Sequence, residues 1–566
     1  MELYNKRCYN IISIKKQKGT NDMKRAVSLL LVLVSILVLF SSCKEEEKEL
    51  ELYYPVTEDF KTLDPQIVSG TSSKLIDFNC FEGLVRVNEK GEVVAAGADS
   101  WTVSKDSLTY TFSLRKSAKW YLTNTSKEEL SDTDPQKSDL PVNFDTRVTA
   151  KDYVFGIKRA LDPATGSAEG KYLSAIKNAA AVMNGEMSVN ELGVEAVDDY
   201  TLKITLERAD PNFLYYLTRP AAMPCNEVFF NACKGRYGLS MEYLLCNGAY
   251  IVYRWTHGTL IRLEKNPLYT GNEQAKNERV WVYLIEDAAT VPEKIEKGTY
   301  DAGYITADGT HLFNDKYTIS SRSDVLWGYW FNSNNEFFSA TALRRAFASC
   351  TDRSVLQAPD YIEGTADRLL TNAISPHFDY SPALISYNEE EAAKHYKNAL
   401  NINENISAAM TVTVLTTEDF ADSVKKQIQI WQRVFGLDVK IDIQTRENAI
   451  KLFNKGSYQI AFLPISVTAT NTAEYFRTFR SDSTYNITGY KNETYDALIN
   501  SLSDSMTQDE KNIVFSKCEQ TIISDAVVVP AFTEASYFIQ GKDVSGIYSF
   551  SSSEVYFRNG IISSKG

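Results

Sequence analysis

Apolar and polar residues alternate from Thr411 to Leu415, a pattern that predicts a β-strand. The apolar residues that follow share one helical face: Val424, Ile428, Trp431 and Phe435. Gly436 comes directly after that face and is the predicted C-terminal cap of the helix. Because alternation resumes from Leu437 to Ile443, the segment is predicted to form a right-handed parallel β–α–β unit.

A second helix is predicted over residues 152–161, where the apolar side chains recur at helical spacing. These side chains are Tyr153, Ile157 and Leu161. Thr149 stands before the helix as the predicted N-cap, since a threonine oxygen accepts from free backbone N–H groups there. Asp162-Pro163 is predicted to end it, because the residue before a proline avoids the helical conformation.

Residues 123–145 contain few apolar side chains and many Ser, Asp, Thr and Lys residues, a composition that predicts an exposed loop. The whole chain is longer than one hydrophobic core usually supports, so two or three lobes are expected. Since strand and helix patterns both occur along it, the predicted class is α/β with mixed sheets.

The first 42 residues carry an export pattern. Met23-Lys24-Arg25 precede an apolar run from Ala26 to Phe40, and a cationic stretch before such a run predicts a secretory signal peptide. The run is shorter than the roughly 20 residues of a membrane-spanning helix. Ser41-Ser42-Cys43 then resembles the bacterial lipobox, in which the cysteine thiol takes a diacylglyceryl group and the signal is cleaved in front of that cysteine. An uncleaved anchor and a buried segment are the alternatives. Met23 is the predicted start, which makes residues 1–22 an upstream extension.

The balance of acidic and basic residues argues against some classes of binding partner. Residues 1–42 carry seven Lys and Arg and two Asp and Glu, which leaves 53 basic and 71 acidic residues in the rest of the chain. An acidic surface argues against nucleic acid, whose phosphates require Lys and Arg. It also argues against electrostatic adhesion to anionic lipid, so acyl chains on Cys43 would hold the protein on the membrane.

The arrangement of cysteines and histidines indicates neither a metal site nor a catalytic site. Six cysteines follow Cys43: Cys80, Cys225, Cys233, Cys246, Cys350 and Cys518. One local disulfide among those at 225, 233 and 246 is compatible with export, and buried free thiols are the alternative. The four histidines are dispersed, and neither a metal motif nor a nucleophile motif occurs. The sequence therefore predicts no catalysis, no cofactor and no metal.

A series of short phrases, in a fixed order, resembles one protein family. The phrases are Thr62-Leu63-Asp64-Pro65, Phe81-Glu82-Gly83-Leu84-Val85, Val148-Thr149-Ala150-Lys151-Asp152-Tyr153, Arg159-Ala160-Leu161-Asp162-Pro163, Asn247-Gly248-Ala249-Tyr250, Leu343-Arg344-Arg345-Ala346-Phe347, Gly456-Ser457-Tyr458 and Gly489-Tyr490-Lys491-Asn492. They resemble the solute-binding proteins of ABC importers, extracellular family 5, of the oligopeptide- and dipeptide-binding type.

The resemblance implies a two-lobed binding-protein fold with an extra subdomain and a hinged cleft. The hinge crossings are expected near Trp327–Asn332 and Pro530–Ser536. The implied domains are residues 1–42 (upstream extension and signal peptide), 43–56 (lipidated tether), 57–95 (lobe I, first part), 96–195 (extra subdomain), 196–326 (lobe I, second part), 327–529 (lobe II) and 530–566 (lobe I, C-terminal part).

The resemblance also implies a function. A monomeric lipoprotein, facing the periplasm or the cell surface, would capture oligopeptides and deliver them to the permease subunits and ATPase of an ABC importer. In the family an Asp anchors the peptide's α-ammonium, and gapless counting places Thr468 there. A hydroxyl cannot replace a carboxylate facing a buried ammonium. Either Glu474 or Glu534 supplies the charge, or the ligand is not a typical peptide.

The candidate cleft residues are Ser69, Gly70, Thr71, Tyr172, Tyr329, Trp330, Arg446, Ile465, Thr468 and Glu534. The competing hypotheses are a receptor for a signalling peptide or another solute, a surface adhesin on the same fold, and a hydrolase. No catalytic motif in the sequence supports the hydrolase.

Overall fold

The structure is a computed structural model. It describes residues 50–563 except 131–139, 142, 211, 360–361, 371–381, 403–410, 467–471, 484 and 504–505. The predicted signal peptide, Cys43 and Thr468 lie outside the described residues. From Glu51 onward the chain forms one compact unit.

The strands are β1 (Glu51–Val56), β2 (Val85–Val87), β3 (Val93–Ala95), β4 (Ala98–Val103), β5 (Thr109–Leu114), β6 (Val194–Asp198), β7 (Thr201–Thr205), β8 (Tyr250–Thr256), β9 (Leu260–Lys265), β10 (Arg279–Leu284), β11 (Ala302–Ile305), β12 (Thr318–Phe331), β13 (Ile362–Thr365), β14 (Thr411–Thr417), β15 (Asp438–Gln444), β16 (Ile460–Ser466), β17 (Val528–Gln540), β18 (Val544–Ser545), β19 (Tyr548–Ser551), β20 (Glu554–Tyr556) and β21 (Ile561–Ile562).

The α-helices are α1 (Thr71–Cys80), α2 (Asn124–Leu130), α3 (Ala150–Leu161), α4 (Ala179–Met183), α5 (Phe213–Tyr216), α6 (Glu227–Ala232), α7 (Val291–Glu296), α8 (Thr341–Ser349), α9 (Glu389–Ile402), α10 (Ala421–Phe435), α11 (Arg446–Asn454), α12 (Thr472–Arg477), α13 (Glu493–Asn500) and α14 (Gln508–Ser524). No helix of the described ranges is long and apolar enough to cross a membrane.

Three larger sheets organise these strands. One has the order β1-β10-β9-β8 and another the order β4-β5-β7-β6. The seven-stranded sheet has the order β11-β17-β12-β16-β14-β15, with β13 also pairing with β17. Both parallel and antiparallel pairs occur in it, because β14 runs parallel to β15 while β12 runs antiparallel to β17. This mixture of pairings is the one predicted from the sequence.

The long strands β12 and β17 carry the residues expected at the hinge. The antiparallel pair runs from Thr318 opposite Gln540 to Trp330 opposite Val528. Buried apolar residues between 325 and 532 form two clusters, while the largest cluster draws on residues 52–302 and 538–557. The two strands therefore connect separate parts of the core. The lobe boundaries themselves stay predictions.

The two elements predicted from apolar spacing are confirmed. β14, α10 and β15 form the β–α–β unit, and Gly436 ends α10 with φ of +67°, a conformation that glycine adopts without strain. Helix α3 follows Thr149, whose N–H donates to the Asp152 carboxylate at 2.7 Å. Asp162 leaves the helical conformation, as expected before a proline.

The prediction of an exposed loop over residues 123–145 is wrong in its first part. Residues Asn124–Leu130 form α2, and both Leu130 and Leu140 are buried. Leu140 N–H donates to the Leu130 carbonyl at 3.2 Å, so the chain packs back on the helix end. Leu130 and Leu140 are thus buried although the sequence around them is polar, which the composition did not predict.

The six cysteines that the structure describes are all free and buried. The local disulfide among Cys225, Cys233 and Cys246 is therefore not present, and the alternative of buried thiols applies. Burial raises the pKa of both Cys225 and Cys233 to about 12, because a thiolate is poorly solvated there. Such thiols are poor nucleophiles at neutral pH.

Candidate functional site

A cavity of about 320 Å³ lies between the turn at residues 170–173 and the elements around β12 and β16. Its lining comprises Lys171, Tyr172, Trp330, Ile450, Phe453, Asn454, Pro464, Ile465, Tyr475, Thr478, Phe479, Tyr485, Asn486, Ile487 and Thr488. This size is at the lower end of small-molecule sites in proteins, which are also mostly apolar with a few polar groups.

Strands β12 and β16 supply the floor of the cavity. Trp330 is only 3 % exposed, and its indole N–H donates to the Leu463 carbonyl at 3.2 Å. That bond fixes the ring plane, and the Phe453 ring packs edge-on against it at 6.0 Å between centroids. Ile465, further along β16, is partly buried at the same cavity. The floor is therefore apolar and held in place by the sheet.

Helix α11 supplies one wall. It begins after Thr445, whose hydroxyl accepts from the Asn448 N–H at 3.4 Å. Ile450, Phe453 and Asn454 then lie three and four positions apart, which brings them to one face of the helix and against the cavity.

Aromatic rings from distant parts of the chain meet at the opposite wall. Tyr172 and Tyr485 have ring centroids 5.3 Å apart, within the range of favourable aromatic pairs. The Arg219 guanidinium lies over the Tyr172 ring at 3.9 Å, a cation–π contact that orients the ring. Residues more than 300 positions apart in sequence thus form one wall.

Lys171 brings positive charge to this wall. Its ammonium nitrogen lies 5.0 Å from the Tyr485 ring centroid and 5.7 Å from that of Tyr172. Burial lowers the pKa of Lys171; Glu169 acts against this shift, while Arg219 adds to it. Lys171 is nevertheless an exposed residue, so its ammonium is accessible to a charged group of a ligand in the cavity.

Glu534 was one candidate for an ammonium anchor, and the structure places it in an ion pair. Its carboxylate accepts from Arg446 at 2.9 Å and from the Trp327 indole N–H at 2.8 Å. The Arg446 guanidinium also lies 5.4 Å from the Trp327 ring centroid. Neither Glu534 nor Arg446 lines the cavity. The charge of this glutamate is already compensated within the protein.

Four further candidate cleft residues lie away from the cavity lining: Ser69, Gly70, Thr71 and Tyr329. Thr71 N–H donates to Glu58 at 2.6 Å, and Ser69 to Thr71 do not line the cavity. A Cβ on Gly70 would come 2.8 Å from the same carboxylate, so glycine allows this close packing. Tyr329 is fully buried against Trp431 and Phe462 in the core, where a ligand does not reach it.

Thr468 and the Glu474 side chain lie outside the described residues. Of the ten candidates, the cavity therefore brings together Tyr172, Trp330 and Ile465.

Sequence reasoning missed most of the lining. Lys171 adjoins a predicted site residue, and Tyr485 to Thr488 directly precede the Gly489-Tyr490 phrase. Their closeness in sequence to these positions was the one signal that could have indicated them as lining residues. Tyr475 and Phe479 lie four positions apart, a helical spacing that also fits an ordinary core face.

Residues 92–486 match the model of the bacterial extracellular solute-binding proteins, family 5 middle region. The chain belongs to this family. Its members bind solutes outside the cytoplasm, and the prediction of a binding protein rather than an enzyme is confirmed.

Relatives of this family 5 chain extend over most of its length. The dipeptide-binding protein DppE of Bacillus subtilis (strain 168) is 26% identical over 512 residues, covering 88% of this chain and 89% of the relative. A probable deoxycholate-binding periplasmic protein, YgiS of Escherichia coli (strain K12), is 25% identical, covering 83% of this chain and 85% of the relative.

Solved structures share the fold of this family 5 chain. OppA of Burkholderia pseudomallei has a TM-score of 0.68 at 21% identity, covering 91% of this chain and 99% of that one. The substrate-binding domain of an oligopeptide ABC transporter from Bacillus anthracis str. Ames has a TM-score of 0.67 at 24% identity, covering 91% and 100%. The predicted α/β binding-protein fold is therefore confirmed.

Proposed function

We propose that the chain is the receptor of an ABC importer, which captures peptides or peptide-like solutes in the cavity at Tyr172 and Trp330. The observation that carries this proposal is a cavity of about 320 Å³ whose aromatic walls come from two distant parts of the chain. Curated relatives named as dipeptide- and oligopeptide-binding proteins support the ligand class.

Capture would proceed by hinge closure. β12 and β17 connect the core around residues 325–532 to the core that includes residues 538–557. A hinge motion about such connecting strands changes the distance between the 170–173 turn and β16. Closure would remove the ligand from water and form the surface that the permease subunits recognise. The proposed moving bodies of the monomeric receptor are lobe I with its extra subdomain (residues 57–326 and 530–566) and lobe II (residues 327–529).

A melting experiment tests the proposal. A ligand that binds only the folded protein stabilises it by about 2.7 kcal/mol at a concentration of 100 times its Kd. We expect some member of a broad library of short peptides and peptide-like acids to raise the melting temperature of the purified protein. If no member raises it, the proposal is contradicted.

Cys43 is the proposed lipid anchor, on the sequence pattern that precedes it. Acyl chains there would keep the receptor near its permease and ATPase, facing the periplasm or the cell surface. Cys43→Ala should abolish labelling by a radioactive fatty acid and release the protein from membranes. Cys8→Ala is the matched control and should change neither, since it precedes the predicted start at Met23. Membrane retention of the Cys43→Ala protein would contradict the lipidation.

A receptor for a different amphipathic solute is the second candidate. The aromatic lining of the cavity favours it, and one relative of this chain is named as a probable deoxycholate-binding protein.

A further inference from the structure

The charges around the cavity are unevenly distributed. Glu169 lies beside the 170–173 turn, but Lys74 approaches its carboxylate at 2.6 Å and Arg219 at 3.7 Å. Its negative charge is thus held by two other cations. Lys171 forms no ion pair with any residue in the described part of the chain, although it lines the cavity. The local balance of these four side chains is positive.

The lining itself contains no carboxylate among the described residues. Besides the Lys171 ammonium, the polar groups that it does offer are the amides of Asn454 and Asn486 and the hydroxyls of Tyr172, Tyr475, Thr478, Tyr485 and Thr488. Such groups can bind amides and hydroxyls, but they do not compensate an ammonium that leaves water. Among the residues that the structure describes, a free α-ammonium would therefore meet no carboxylate in this lining, and the Glu534 carboxylate is paired with Arg446.

We propose that the cavity recognises a small apolar acid that carries one carboxylate and no free ammonium, with the carboxylate at Lys171 and the apolar body against Trp330, Phe453 and Phe479. The inference rests on the proposed function and names its ligand class. A carboxylate at Lys171 forms a charge-assisted contact.

Two sources supply such an acid, an N-acylated apolar peptide and a non-peptide amphipathic acid. Both present the same chemistry to Lys171 and to the aromatic rings. The binding experiment separates them by using N-acetyl-Phe-Leu and deoxycholate below its micellar concentration as probes.

The test compares four dipeptide derivatives by titration calorimetry. N-acetyl-Phe-Leu carries only the carboxylate, Phe-Leu carries both charges, Phe-Leu-amide carries only the ammonium, and N-acetyl-Phe-Leu-amide carries neither. We expect N-acetyl-Phe-Leu to bind at least about tenfold more tightly than Phe-Leu-amide, the size of effect that a charged hydrogen bond gives. Deoxycholate binding with the same dependence on Lys171 would identify the non-peptide source.

The variant Lys171→Met should weaken binding of N-acetyl-Phe-Leu about tenfold and leave that of its neutral amide nearly unchanged. Lys171→Arg keeps the charge and should retain most of the affinity. The matched control is Lys151→Met, since Lys151 is exposed and does not line the cavity. It should change neither affinity.

Three outcomes would overturn the inference. The first is tightest binding of Phe-Leu or Phe-Leu-amide, in which case the proposed receptor function survives and only the ligand class is wrong. The second is an equal loss of the acid and its amide in Lys171→Met, which would show a structural role for this lysine. The third is binding of none of the probes while other peptides stabilise the protein. If nothing in the peptide library stabilises it either, the receptor function fails as well.

Discussion

Replacing Arg159 with methionine is expected to lower the free energy of unfolding by about 3–5 kcal/mol, the typical cost of leaving one partner of a buried ion pair alone. Arg159 donates to both carboxylate oxygens of Asp64, at 2.7 and 3.1 Å, and to the Gln66 side chain at 2.7 Å. The side chain of Asp64 is only 3% exposed. Without the guanidinium, this carboxylate would have neither water nor a cation.

Chemical denaturation measures this effect. The double variant Arg159→Met with Asp64→Asn should recover part of the loss, because it removes the charge that the single variant leaves unpaired. Arg147→Met is the control. Arg147 pairs with Asp145 at the surface, where both side chains are about half exposed, and its loss should not change stability measurably. Equal effects of Arg159→Met and Arg147→Met would contradict this interpretation of the buried pair.

Replacing Tyr172 with alanine is expected to weaken ligand binding about 30-fold, or about 2 kcal/mol, the loss that buried aromatic contacts in binding sites commonly give. Tyr172 contributes an aromatic wall of the cavity and packs on Tyr485 at 5.3 Å. Its truncation removes that wall and leaves the Arg219 guanidinium without the ring beneath it. Calorimetry with a ligand that stabilises the native protein measures the change.

Two controls isolate the role of the ring. Tyr172→Phe keeps the aromatic ring and its packing on Tyr485, so it should retain most of the affinity. Tyr253→Ala removes a tyrosine that is 48% exposed, packs against Arg262 and lies away from the cavity lining, so it should have no effect. If Tyr172→Ala binds as tightly as the native protein, the cavity is not the binding site.

Local elements were predictable because their signals are local. In α3 and α10 the apolar residues recur at the helical period, and Thr149, Asp162 and Gly436 mark the ends with residues that suit those backbone conformations. The β–α–β unit follows from the same periodicity. Short α2 escaped prediction because a single helical turn or two in polar sequence has no clear period.

The cavity was predictable only in part, for a physical reason visible at β12. Tyr329 and Trp330 are adjacent aromatic residues, and neither is more than 3% exposed, because both faces of this central strand are covered. On such a strand the sequence does not show which face meets the cavity. Trp330 lines it, whereas Tyr329 packs against Trp431.

The missed lining residues illustrate a second limit. Lys171 and Tyr485 meet only because separate parts of the chain fold together. A local sequence motif does not predict a contact between such distant residues. The resemblance to the family indicated the peptide-type scaffold, but the charge of the cavity depends on which side chains already neutralise one another, as Arg446 does for Glu534.

The most direct test of solute capture is a parallel melting experiment on the native protein and on Tyr172→Ala. Each is heated alone and with the peptide or apolar acid that stabilises the native protein most. We expect a clear rise in the melting temperature of the native protein and a much smaller rise in the variant, because stabilisation follows the ratio of ligand concentration to Kd. Equal stabilisation of the two proteins, or none of the native protein by any ligand, would contradict capture in this cavity.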